Sequence, residues 1–376
     1  MPALRPDVDP DGLLEYSVVY TDRALNHMSA RFQKVLTDIT ATLKEVYAAH
    51  AVAVVPGSGT YGMEAVARQF ATGQHVLVIR NGWFSYRWTQ ILDMGAIPKS
   101  STVLKARRIG DGGPKAPFAP APIDEVVARI AAERPAVVFA PHVETSAGMI
   151  LPDDYLRAVA DATHAVGGLF VLDCIASGTV WVDMAATGVD VLVSAPQKGW
   201  SGPPCCGLVM MSERARAAIE TTTSTSFACD LRKWLTIAET YESGAIAYHA
   251  TMPTDALATL RDVMVETREI GFARLKDAQI ELGRQARALL ASKGFPSVAA
   301  EGYGAPGVIV SYTDDAQIQS GARLKAQGLQ IAAGVPLQCD EGPDFRTFRI
   351  GLFGLDKLGN LPRTLDHLDR ALSHIV

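Results

Sequence analysis

Apolar residues recur at helical spacing between residues 30 and 49 and then give way to an unbroken run, Ala51-Val52-Ala53-Val54-Val55. The first pattern predicts an amphipathic helix, because residues three and four apart share one helix face; the second, short and β-branched, predicts a strand. Pro56-Gly57-Ser58-Gly59-Thr60 breaks the run, and helical spacing resumes through Gly62-Met63-Glu64-Ala65-Val66-Ala67-Arg68. The alternation then returns. Short apolar runs stand at 75–79, 136–140, 169–173, 189–193 and 207–211, with helical stretches at 123–133 and 154–166 separating several of them. The runs are apolar on both faces, as parallel strands covered by helices are, so the expected fold class is α/β with a mainly parallel, helix-covered sheet.

After Pro253 the texture changes. One long helical pattern over 254–293 precedes a short strand at Val308-Ile309-Val310-Ser311 and a final helix running to residue 376. The expected division is an arm over 1–15, a large domain over 16–255 and a smaller C-terminal α+β domain over 256–376. A length of 376 residues agrees, being too great for one core of ordinary size. The patch at 221–226 reads as a solvated loop.

Charge and composition narrow the function classes. Lys and Arg number 35 against 40 Asp and Glu, a net charge of −5 with no basic block, so nucleic acid and anionic membrane surfaces are not expected partners. No apolar run reaches the roughly 18 residues of a membrane span. The start, Met1-Pro2-Ala3-Leu4-Arg5-Pro6, lacks the basic and apolar regions of a secretion signal. The cysteines, Cys174, Cys205, Cys206, Cys229 and Cys339, form no CxxC pair, so neither a metal site nor a disulfide framework is expected, and a reducing cytoplasm is the expected location.

Two residues carry the first chemical signal. Asp173 ends a run of apolar residues, and Lys198 lies 25 positions later, just past another such run. Ligands of open α/β sheets gather at strand carboxyl ends. A lysine that forms a Schiff base and a carboxylate that keeps a pyridine nitrogen protonated are what pyridoxal phosphate chemistry needs. A salt bridge joining two loops would use the same pair. Ser58-Gly59-Thr60, between strand and helix, offers hydroxyls and N–H groups suited to a phosphate, or an ordinary helix cap.

At this point the chain resembles a known family. Ser58-Gly59-Thr60-Tyr61-Gly62-Met63-Glu64, Asn81-Gly82-Trp83-Phe84-Ser85-Tyr86-Arg87, Glu144-Thr145-Ser146-Ala147-Gly148, Asp173-Cys174-Ile175-Ala176-Ser177, Ser194-Ala195-Pro196-Gln197-Lys198, Tyr248-His249-Ala250-Thr251 and Phe348-Arg349-Ile350-Gly351-Leu352-Phe353-Gly354 are similar, in that order, to motifs of fold-type I, class V aminotransferases. The subgroup is that of alanine–glyoxylate and serine–glyoxylate aminotransferases. The resemblance implies a fold-type I architecture and pyridoxal 5′-phosphate held by Lys198 as an internal aldimine, with Asp173 on the pyridinium nitrogen. It implies Phe84 (with Trp83 as rival) stacked on the ring, Thr145 or Ser146 and Gln197 on the ring substituents, and Ser58, Gly59 and Thr60 on the phosphate. Tyr248 and Thr251 match residues that reach the phosphate from the neighbouring subunit, which implies a homodimer with shared active sites. Arg349 matches the arginine that binds the substrate carboxylate.

The resemblance further implies ping-pong transfer of an amino group from a small α-amino acid such as serine or alanine to glyoxylate or pyruvate. The chain departs from the subgroup's glycine- and proline-rich opening turn, carrying Tyr16 and Tyr20 there instead, bulky residues expected to border and reshape the substrate pocket. Cys205-Cys206 stands where the family has small residues and reads as buried packing. Class V also contains cysteine desulfurases, but the neighbours of Cys339 do not match the desulfurase loop. A lyase or desulfurase, an aminotransferase of 2-aminoethylphosphonate, and a cofactor-binding protein without catalysis are the alternatives. His142, His249, Arg87, Trp181 and Trp200 read as packing or local hydrogen-bonding residues.

Overall fold

In the computed structural model, which describes residues 13–110 and 112–375, the first helical run is α1 (Ala30–Tyr47). Ser29 caps it, its hydroxyl accepting from the Phe32 N–H, and Phe32, Val35, Leu36, Ile39 and Leu43 make the buried stripe that the spacing requires. Strands β1 (Ala51–Pro56), β2 (His75–Arg80), β3 (Ser100–Lys105), β4 (Val137–Pro141), β5 (Leu169–Asp173), β6 (Val191–Ser194) and β7 (Cys206–Met211) follow. Among them run α2 (Gly59–Phe70), α3 (Trp83–Met94), α4 (Ile123–Glu133) and α5 (Asp153–Ala165). Most of the expected arm over 1–15 lies outside the described residues.

The seven strands form one sheet in the order β1-β7-β6-β5-β4-β2-β3. Strands β6, β5, β4, β2 and β3 pair in parallel, with Asp173 opposite Pro141 on one side and Val193 on the other. Strand β7 departs from the parallel expectation by pairing antiparallel with both β1 and β6. Its apolar run carries no sign of direction, because a strand buried on both faces reads alike either way. Since β7 opposes both neighbours, β1 runs with the other five strands, and six carboxyl ends share one edge. Helix α2 meets the sheet with no side chain between: a Cβ on Gly207 of β7 would lie 2.8 Å from the Gly62 Cα. That close approach fixes the α2 N-terminus at the same edge.

Beyond α6 (Leu231–Glu242), the helical pattern over 254–293 is two helices, α7 (Thr254–Ile270) and α8 (Phe272–Ser292). Gly271 divides them at φ +101°, a conformation that residues with a Cβ rarely adopt. The core changes at the same point. Leu257, Leu260 and Met264 of α7 pack into the core of the large sheet, whereas Leu275, Leu282 and Leu290 of α8 pack with Phe348 and Ile350. Those two residues belong to a three-stranded antiparallel sheet of β8 (Val308–Tyr312), β9 (Ala332–Ala333) and β10 (Thr347–Gly351), with β10 central; helix α9 (Leu361–Ser373) packs beside α8. No helix among the described residues is long and apolar enough to cross a membrane.

Candidate active site

Loops leaving the carboxyl ends of β1, β2, β4, β5 and β6 carry most of the residues singled out in the sequence. Asp173 closes β5 and is 7% exposed; its carboxylate accepts from the Ile175 N–H at 2.9 Å. Burial pushes its pKa up to about 6, and the Glu144 charge adds to the rise, against the Ile175 hydrogen bond and the Lys198 and Arg87 cations. Lys198 follows the end of β6 by four residues. Burial lowers its pKa; Asp173 opposes the shift, and the Arg349 and Arg87 charges reinforce it. Its Nζ lies 5.6 Å from the centre of the Phe353 ring. The two residues are not in ion-pair contact. They are a carboxylate and an amine each driven toward neutrality by burial, which is not the arrangement of a solvent-exposed bridge between loops.

Phe84, in the first turn of α3, lies between two guanidinium groups. The Arg87 Cζ is 5.3 Å and the Arg349 Cζ 5.4 Å from its ring centre. Trp83 is occupied differently, pairing with the Tyr86 ring at 5.8 Å while its N–H donates to Ser146 Oγ at 2.9 Å. Arg349, on β10, donates from Nε to the Ala333 carbonyl at 2.8 Å. No carboxylate of the described residues lies in ion-pair range of it. Burial lowers its pKa against the pull of Glu144.

Glu144 organises these parts. It is fully buried, and every contact to it comes from a donor. One oxygen accepts from Phe84 N at 3.2 Å, Ser146 N at 3.0 Å and Ser146 Oγ at 2.7 Å; the other accepts from Ser85 N at 2.8 Å and Ser85 Oγ at 2.7 Å. A carboxylate here also suits the positive end of α3. Gly82 is required beside it, because a Cβ there would collide with Ser146 and Glu144. Sequence reasoning quoted Glu144 within a motif and gave it no role; its partners at Phe84 and Ser85 are about sixty positions away. The same network separates Thr145 from Ser146. Ser146 is bound to Glu144 and Trp83, whereas the buried Thr145 hydroxyl has no hydrogen-bond partner among the described residues.

Ser58 precedes α2 in an extended conformation, and its hydroxyl makes no cap hydrogen bond. Gly59 begins the helix where a Cβ would strike the Ile175 and Ala195 side chains, and Thr60 Oγ1 accepts from Arg87 at 3.2 Å. The Gln197 side chain is exposed. Tyr248 and Thr251 are not joined to this cluster by any hydrogen bond or ring contact among the described residues. They bond to each other at 3.2 Å, and Tyr248 stacks against His27, which in turn meets Tyr20. The Tyr20 hydroxyl donates to the Met252 carbonyl at 3.1 Å, and Tyr16 is 89% exposed. Two clusters result, one around Lys198 and Asp173 and another around Tyr20, Tyr248 and Thr251.

The remaining chemical side chains are engaged in structure. His142 is held neutral by burial, its pKa lowered to about 3, and its Nδ1 meets Ser177 Oγ at 2.7 Å. His249 donates to the Phe227 carbonyl and packs against the Phe227 and Trp234 rings. Trp181 stacks on Trp200 at 4.7 Å. All five cysteines are buried free thiols, and Cys205 and Cys206 touch at 3.8 Å. The Cys339 thiol is pushed up to about 12 by burial, so it is protonated at neutral pH. No group of His, Cys, Asp and Glu among the described residues is arranged to hold a metal ion.

Residues 12–335 match the profile of the family described as aminotransferase class-V. Alanine–glyoxylate aminotransferase 1 of Saccharomyces cerevisiae is 28% identical over 361 residues, covering 90% of this chain and 89% of that protein. A 2-aminoethylphosphonate–pyruvate transaminase of Burkholderia mallei is 30% identical over 241 residues, covering 62% of this chain and 59% of that protein. Among solved structures, an alanine–glyoxylate aminotransferase from Nostoc sp. superposes with a TM-score of 0.77 at 21% identity, over 93% of this chain and 88% of the other.

Proposed function

The chain belongs to the class V aminotransferases, which are pyridoxal-phosphate-dependent enzymes of fold type I, and from that premise we propose that it moves an amino group from a small α-amino acid such as serine or alanine to glyoxylate or pyruvate. The observation that carries this reading is Arg349. It is a half-buried guanidinium with no carboxylate of the described residues in ion-pair range, set against Phe84 and close enough for its charge to act on Lys198. With Nε on the Ala333 carbonyl, the two terminal nitrogens remain to present a planar fork suited to a substrate carboxylate.

The residues fit the cofactor. The Thr145 hydroxyl without a partner among the described residues, the buried Asp173 carboxylate, the depressed Lys198 amine and the uncapped Ser58 hydroxyl would serve as the donor to the ring oxygen, the charge beside the ring nitrogen, the nucleophile and the donor to the phosphate that pyridoxal phosphate requires. When bound, the cofactor supplies a ring that draws electrons from the substrate α-carbon. Lys198 is the attachment amine and, once released, carries the proton to and from that carbon; its burial favours the neutral form able to accept one. Asp173 holds a positive charge on the ring nitrogen. Phe84 sets the plane of the ring, Thr145 and Gln197 bind its substituents, and Ser58, Gly59 and Thr60 take the phosphate. Of the two hydroxyls that the resemblance offers for the ring, Thr145 is our assignment, because Ser146 is bound to Glu144 and Trp83.

Tyr248 is 54% exposed and shares no hydrogen bond or ring contact with the cluster around Lys198 among the described residues. This supports a homodimer in which Tyr248 and Thr251 complete the partner's site. The five free thiols support a reducing compartment such as the cytoplasm. The protonated, buried Cys339 supports transamination over desulfuration.

Visible absorption tests the proposal. The bound cofactor's band should be lost on adding L-serine or L-alanine alone and restored by glyoxylate or pyruvate, and Lys198→Ala should abolish turnover. A band that persists while pyruvate, ammonia or sulfide accumulates without an acceptor would replace transamination with a lyase reaction.

A further inference from the structure

Arg87 lies in α3, one turn past Phe84. Its guanidinium donates to Thr60 Oγ1 at 3.2 Å, rests 5.3 Å from the Phe84 ring centre, and has no carboxylate of the described residues in ion-pair range. Thr60 belongs to the first turn of α2, so Arg87 joins the start of that helix to the aromatic wall of the site. Its charge also bears on both Asp173 and Lys198, which places it inside the site's field.

A phosphate monoester carries close to two negative charges near neutral pH. The groups assigned to it above are poorly matched to that charge. A helix N-terminus offers the equivalent of about half a positive charge, Ser58 and Thr60 are neutral, and the Lys198 amine is committed to the cofactor's carbonyl carbon. Tyr248 and Thr251 add none. A guanidinium tied to one member of the phosphate cradle, with donors to spare, supplies what is missing. We propose that Arg87 is the cation that binds the cofactor phosphate, held in position by Thr60 and by the face of Phe84. The inference rests on the placement of the phosphate at Ser58, Gly59 and Thr60.

The test compares two ligands on the full chain stripped of cofactor: pyridoxal 5′-phosphate and pyridoxal, which lacks the phosphate. Affinities come from quenching of the protein's own fluorescence. Arg87→Gln should weaken pyridoxal phosphate about 10- to 100-fold, the worth of a charge-assisted hydrogen bond, and leave pyridoxal within about twofold. Arg87→Lys, which keeps a point charge but not the fork, should recover part of the loss. A merely structural Arg87 would weaken both ligands alike, and that result overturns the proposal. So does unchanged affinity for pyridoxal phosphate together with a raised KM for a dicarboxylic donor, which would give Arg87 to the substrate. Ser58→Ala separates the two layers. If it leaves the preference for the phosphorylated ligand intact, the placement at α2 fails and this inference falls with it. If Ser58→Ala lowers that preference and Arg87→Gln does not, the placement stands and the role of Arg87 is refuted.

Discussion

Replacing Glu144 with Gln changes one atom of the side chain and tests whether that carboxylate holds the aromatic wall and the Thr145 loop together. Both oxygens receive only donors, and three of those donors are backbone N–H groups with fixed directions, Phe84 N at 3.2 Å, Ser85 N at 2.8 Å and Ser146 N at 3.0 Å. An amide nitrogen must face one set or the other. The serine hydroxyls can adapt, since Ser146 Oγ accepts only from Trp83 N and Ser85 Oγ can donate to the Gly82 carbonyl, but the backbone N–H groups cannot turn away. One backbone donor is therefore left buried against an –NH2 group, at about 1–3 kcal/mol, and a hydrogen bond to a charged group worth about 1.5–3 kcal/mol is lost. The sum is about 2.5–6 kcal/mol. At an unfolding entropy of about 2.1 cal/mol/K per residue, that corresponds to a Tm lowered by about 3–8 °C for a chain of 376 residues. Differential scanning calorimetry of the cofactor-free protein measures it. The same variant should also weaken pyridoxal phosphate and pyridoxal equally, because in the proposed assignment Phe84 and Thr145 would face the ring and not the phosphate. A Tm within about 1 °C of the wild type would refute the reasoning, since it would mean that the five contacts are exchanged for water or for each other at no cost.

Asp173 gives the cofactor-free protein a specific pH dependence. Its folded pKa, about 6, stands above the ordinary 3.8, so the folded state binds the proton more tightly, and the contribution is stabilising below 3.8 and lost as pH rises toward 6. The rise of about two units corresponds to about 3 kcal/mol, and Asp173→Asn should lack that loss. Unfolding measured across this window on both proteins checks it, and parallel curves would contradict the burial argument. Cys339→Ala should leave kcat within about twofold and cost about 1–2 kcal/mol of stability from lost packing, read by activity and calorimetry. Loss of turnover with folding intact would show that the thiol takes part in the chemistry.

How far the sequence carried the reading follows from where each partner lies along the chain. Strand ends could be read because an apolar run stops at a polar residue. Asp173, Lys198 and Ser58 were found in this way, and they do sit at carboxyl ends of strands that share one edge. Strand direction could not be read, so β7 was expected to be parallel; nor could a break between two helices that each bury an apolar face, so Gly271 was passed over. Glu144 and Arg87 were quoted and given no role in the chemistry, because a buried carboxylate and a packed arginine acquire meaning from donors and rings on other elements. The departure at Tyr16 and Tyr20 is the most instructive. The sequence places both beside the substrate; within one chain Tyr16 is exposed, and Tyr20 is tied to the Met252 carbonyl next to Thr251, in the cluster that holds Tyr248. That tie makes the two questions one. Tyr20 shares His27 with Tyr248 as a ring neighbour, so whichever site Tyr248 and Thr251 serve, the bulk of Tyr20 comes with them. In the homodimer we propose, that site would be the partner's, and the fit of a small acceptor such as glyoxylate would then be set by the neighbouring copy's N-terminal segment and not by the chain that supplies Lys198.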